Sequence, residues 1–99
     1  MLMRMHNPPH PGEFIREIYL KPFRISTRSV AEKLKVSPST FNRLVNGASN
    51  VSPEMALRLS KTLGRSAESW LAMQDNYDLW RARDQVNLSV VEKLDISAA

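Results

Sequence analysis

Apolar residues recur at three- and four-residue spacing along most of the chain, the period of helices buried on one side. Phe14, Ile15, Ile18 and Tyr19 form the first stripe. Pro11 suits its first helical position, where a missing N–H has no partner to lose. This segment is expected to close before Pro22, because the residue ahead of a proline avoids helical angles. Phe23 and Ile25 then read as core anchors in the connection. Ser26 is the expected cap of a second helix over 27–34, with Val30, Ala31 and Leu34 inward. Ser37-Pro38 opens a third, with Phe41, Leu44 and Val45 inward, and Asn46-Gly47 ends it. Ser52-Pro53-Glu54 repeats the opening signal, with Val51 placed to staple onto Ala56. Met55, Ala56, Leu59 and Leu63 continue that stripe to Gly64. Ser66 opens a fifth helix whose Trp70, Met73, Tyr77 and Trp80 share a face.

Beyond Gln85 the pattern weakens. Ser89-Val90-Val91-Glu92 matches a capping box, so 90–94 is expected to be a helical turn or a continuation, and 97–99 to fray. No alternating β-branched run is bounded by turn residues. The expected fold class is therefore all-α. Residues 1–85 make one five-helix domain, and 86–99 a partly ordered extension with a short helical piece.

Residues 27–46 hold two short helices joined by a tight turn. Val30, Ala31, Leu34, Val36, Phe41 and Leu44 are spaced as in a helix-turn-helix. Ala31 keeps the crossing close, and Val36 plugs the turn. The outward positions of the third helix are Ser37, Ser39, Thr40, Asn42, Arg43 and Asn46. Short polar groups with one long cation suit a major groove, where Arg pairs bidentately with guanine and Asn with adenine. The competing reading of Arg43 is a surface ion pair with Glu32.

Charge sharpens this picture. Residues 1–65 hold eleven Lys/Arg against four acids, whereas 66–99 hold three against six. A basic front points to a polyanion, and an acidic rear to a second task or to solubility. The 99 residues are 42% hydrophobic and 24% charged, an ordinary globular balance. No apolar run is long enough to span a bilayer, and the first residues lack a secretory pattern, so cytoplasmic residence is expected. Cysteine is absent, and the two histidines, His6 and His10, are too few donors for a metal site. Asp75 and Asp78 share a helix face without any nucleophile–base arrangement, so neither an enzyme nor a cofactor is expected.

Three strings carry a resemblance: NPPHPGEFIREIYLKPF, VAEKLKVSPSTFNRLVNG and SPEMALRLSKTLGRSAESWLAMQDNYDLWRA. Over about residues 7–82 the chain resembles the HigA-type antitoxins of the XRE, or lambda-repressor-like, helix-turn-helix group. The resemblance implies a compact DNA-binding domain that dimerises and represses its own operon at a palindromic site. It further implies neutralisation of a RelE-like toxin, a basic mRNA-cleaving ribonuclease. By position, Thr27 and Arg28 would meet phosphate or a neighbouring base. Ser37, Ser39, Thr40, Asn42 and Arg43 would face the groove, and Asn46, Ser49, Asn50 and Ser52 the phosphate backbone. Lys35 departs from the pattern, standing where the family usually has glycine; a left-handed lysine costs about 1 kcal/mol.

The stripe from Trp70 to Trp80 reads as core, or as core whose far end, Tyr77 to Trp80, forms a subunit or toxin interface. Leu88, Val90, Val91, Leu94 and Ile96 either pack back on the domain or form a partner-binding arm; Leu88 and Val91 are the candidates there. Two other readings stay open: a regulator without a toxin, and a protein-binding antidote that has lost DNA binding.

Overall fold

The computed structural model describes residues 7–98, so His6 lies outside the described residues. The first helix, α1, has three parts. It is α-helical over Pro11–Ile15, widens to a π-helix over Arg16–Leu20, and returns to α over Lys21–Phe23. Then follow α2 (Thr27–Leu34), α3 (Pro38–Val45), α4 (Pro53–Leu63) and α5 (Ala67–Gln85). Two 3-10 turns, Leu88–Val90 and Ile96–Ala98, come last, and no strand occurs among the described residues. No helix among them is long and apolar enough to cross a membrane.

Four helix starts share one device. Ser26, Ser37, Ser52 and Ser66 each accept, through Oγ, the N–H three residues on. Each bond satisfies one of the donors a helix leaves orphaned at its start. The core they frame contains Ile15, Leu20, Val30, Ala31, Leu34, Phe41, Leu44, Val45, Val51, Ala56, Leu59 and Trp70.

The first helix corrects the sequence pattern. It does not stop before Pro22, and the π segment explains why. Pro22 has no N–H, and in a regular α-helix its ring would clash with the Ile18 carbonyl. Widening avoids that geometry, and Lys21 donates its N–H to the Arg16 carbonyl, five residues back. The apolar period becomes five, so Ile15 and Leu20 are the buried pair. Everything downstream is rotated by roughly 100° relative to a regular helix. Ile18, inside the widened segment, is 48% exposed; Phe23, in the turn after it, is 68% exposed, and Ile25, past the left-handed Arg24, is 40% exposed, so Phe23 and Ile25 are not core anchors.

Three helices close in the same way. Ile25 N–H reaches the Leu20 carbonyl at 2.9 Å, Val36 N–H that of Ala31 at 3.1 Å, and Ala48 N–H that of Arg43 at 2.8 Å. The residues at these bends, Arg24, Lys35 and Gly47, are left-handed, with φ of 54°, 61° and 77°. Lys35 therefore adopts the glycine-like conformation itself, and the turn keeps its ordinary closure. Arg58 from α4 reinforces it, with Nη1 donating to the Leu34 carbonyl at 2.7 Å.

The aromatic stripe on α5 is only partly core. Trp70 is fully buried and its indole N–H donates to the Gly64 carbonyl at 2.9 Å. The next buried position is Gln74, while Tyr77 and Trp80 are half-buried. In the extension, the cap of the Leu88–Val90 turn is Asn87, not Ser89: Asn87 Oδ1 accepts the Ser89 N–H. Ser97 lies in the final turn, its hydroxyl donating to Asp95.

Candidate nucleic-acid interface

The HPGE segment packs against α3 from behind. His10 caps α1, its Nδ1 accepting the Gly12 N–H at 2.9 Å. Pro11 follows as the first helical residue. Gly12 then packs directly on the α3 backbone. A Cβ built there would lie 1.8 Å from the Leu44 carbonyl oxygen and 2.9 Å from the Val45 Cα. Arg16 adds a donor to the Val45 carbonyl at 3.4 Å. Phe41, Leu44 and Val45 are buried beneath the helix.

The opposite side of α3 is open. Ser37, Ser39, Thr40, Asn42, Arg43 and Asn46 are all exposed. The hydroxyls at its start form a cluster. Ser37 Oγ accepts the Thr40 N–H at 3.1 Å, donates to Thr40 Oγ1 at 2.8 Å, and lies 3.2 Å from Ser39 Oγ. Arg43 makes no ion pair among the described residues, with Glu32 or any other acid, and Arg28 makes none either. Thr27 is half-buried at the start of α2 beside exposed Arg28. An unpaired cation in the first helical turn opposes the helix dipole unless an anion is near.

The loop from α3 to α4 carries Asn46, Ser49, Asn50 and Ser52. Ser52 Oγ caps α4. Asn50 Oδ1 accepts from Gln74 Nε2 at 3.1 Å. The same buried amide accepts the Val51 N–H at 2.8 Å and donates to Asp78 Oδ1 at 3.1 Å. Gln74 thus ties the loop to α5. Sequence reasoning did not single it out; the available signal was a lone amide one turn after Trp70 on an apolar face.

His10 belongs to the same cluster. Its ring meets Tyr77 edge-on, with centroids 5.0 Å apart. Its Nε2 is buried beside the Asn50 side chain and the Ser49 carbonyl but outside hydrogen-bonding geometry with either. Burial pushes the imidazole pKa below its ordinary value, opposed by Asn50, Ser49, Asp78 and Glu13. The neutral ring is thus the form the fold prefers. A depressed folded-state pKa means that the unfolded chain takes up the proton first. Stability should therefore be full above about pH 6.5 and fall as pH drops through the folded-state value. Urea unfolding midpoints between pH 8 and pH 5 check this. His10→Asn, which keeps a capping side chain without an imidazole, should flatten that part of the profile.

A helix-turn-helix family model matches residues 15–70. The chain is 41% identical over 90 residues to virulence-associated protein I of Dichelobacter nodosus, covering 90% of this chain and 83% of that protein. A Pseudomonas aeruginosa protein solved in complex with its 18-bp operator DNA superposes with a TM-score of 0.82 at 34% identity, over 91% of this chain and 100% of that one. Antitoxin HigA of Pseudomonas aeruginosa, solved with the higBA promoter, superposes with a TM-score of 0.79 at 34% identity, over 90% and 97% of the two chains. With the turn closed at Lys35 and α3 standing outward, the chain belongs to the helix-turn-helix family, as a HigA-type member of it.

Proposed function

We propose that this chain is a repressor and antitoxin acting in the cytoplasm. It lays α3 in the major groove of a palindromic operator, silences its own toxin–antitoxin operon as a dimer, and neutralises a basic RelE-like ribonuclease. Arg43 reads a base edge, most simply guanine. Ser37, Ser39, Thr40 and Asn42 contact neighbouring edges or phosphates. Thr27, Arg28, Asn46, Ser49, Asn50 and Ser52 hold the phosphate backbone. A dimer is needed because one such helix reads only a few base pairs; half-sites should lie about 34 Å apart. Tyr77, Trp80, Leu88 and Val91 are assigned to subunit or toxin contact. No catalytic residue or cofactor enters this reading.

The observation that carries the proposal is the outward face of α3, whose Arg43 is exposed and has no ion-pair partner among the described residues. Support comes from the relatives solved with operator and promoter DNA. Fluorescence-anisotropy titration with the DNA upstream of the gene tests it. Native affinity should fall steeply with salt as counterions are released. Arg43→Ala should lose about 1–3 kcal/mol of discrimination at one or two base pairs. Unchanged sequence preference in that variant would overturn the assignment.

A further inference from the structure

Residues 86–96 present six apolar side chains to water: Val86, Leu88, Val90, Val91, Leu94 and Ile96, each between 53% and 77% exposed. Six exposed aliphatic side chains within eleven residues are more than scattered surface hydrophobics, and such clustering points to an interaction site. The arm has local order of its own. Asn87 Oδ1 accepts both the N–H and the hydroxyl of Ser89, and Val91 N–H donates to the Leu88 carbonyl at 3.1 Å.

A matching surface lies at the other end of α5. An apolar groove of about 300 Å³ runs between the N-terminal segment and this helix, lined by Pro8, Pro9, Phe14, Arg65, Ala72 and Met73. From the groove toward the arm, α5 turns Ala72, Asn76, Leu79 and Arg83 outward at helical spacing.

We infer that the occupant of this groove is the arm of a second copy. Two α5 helices pair antiparallel about a two-fold axis, and each arm crosses onto the other copy. The register fits. A two-fold centred between Asn76 and Leu79 sets residue 86 of one copy opposite about residue 69 of the other, within the groove's own stretch of α5. The charges fit too. Arg65 sits at the groove with its guanidinium over Phe14 and Trp70, at 5.1 and 5.8 Å, and has no ion pair among the described residues. The arm brings Glu92 and Asp95, which have none either. So does the area. Each aliphatic side chain removes roughly 60–100 Å² from water when covered. Six per arm, on two arms, remove roughly 700–1,200 Å² from water, a substantial share of the ~1,600 Å² of a standard interface.

This inference rests on the dimer reading, and its test separates the two. The chain has no cysteine, so introduced thiols are unique. Ala72→Cys and Leu88→Cys proteins are mixed and treated with a short bismaleimide, and the doubly substituted chain is treated alone. Light scattering on the native protein should give twice 11.3 kDa. The mixture should yield a covalent heterodimer, and Leu88→Ser with Val91→Ser should weaken the dimer at least 100-fold. A bridge formed only within the doubly substituted chain would mean that the arm folds back on its own domain, overturning the exchange. A native dimer that neither cross-links nor weakens would overturn the exchange and leave the dimer standing. A native monomer at all concentrations would overturn both.

Discussion

Gly12→Ala should destabilise the protein by about 3 kcal/mol, as severe overpacking does, with a fall in melting temperature of roughly 15 °C. The added methyl would meet main chain, not a side chain that can turn away. Its nearest neighbours are the Leu44 carbonyl oxygen and carbon and the Val45 Cα. Only separation of α1 from α3 relieves that contact, and separation uncovers Ile15, Phe41, Leu44 and Val45, which are buried there. Thermal unfolding followed by circular dichroism checks the loss. If the variant still folds at low temperature, its α3 is displaced, and affinity for the operator should fall with it. A melting temperature within a degree or two of the native value would show that α1 and α3 are not held as tightly as the geometry implies.

The second large effect is expected at Gln74. Gln74→Leu conserves volume but removes the acceptor of the Val51 N–H, on a residue that is buried. A buried donor left without a partner costs about 1–3 kcal/mol. Asn50 and Asp78 lose their shared donor as well but can turn to water, since both are exposed. The expected total is about 2–3 kcal/mol in urea unfolding, with Val51 amide exchange losing its protection. Operator affinity should drop beyond what stability explains, because the loop bearing Asn46, Ser49 and Asn50 is no longer fixed to α5. If Val51 stays protected, another group has taken up its amide and the tether is not Gln74.

The sequence was readable where a feature is set by near neighbours in the chain. The starts of α2 to α5 could be read directly, because a serine that caps its own third neighbour is a local event. The two-helix unit could be read as well, since Val30, Ala31, Leu34, Phe41 and Leu44 follow one period. The outward set on α3 is the complement of that stripe. Gln74 and His10 could not be read in this way. A polar residue looks like surface until its partners arrive from elsewhere in the chain, here from a loop 23 residues away. The first helix misled for a different reason. Its buried pair, Ile15 and Leu20, is spaced by five, a period absent from any regular helix or strand pattern. Phe23 and Ile25 read as core anchors because the helix is expected to end before Pro22, whereas it runs on to Phe23 and leaves both exposed.

That widened turn also affects how relatives align. A π segment holds one more residue than the α-helix it replaces, so a chain with an ordinary first helix should be one residue shorter between Ile15 and Leu20. Such a chain would also be free of the proline at 22. A gap opened near Ile18 would then mark a change of winding rather than a lost side chain, and deleting one residue here without replacing Pro22 should disrupt α1.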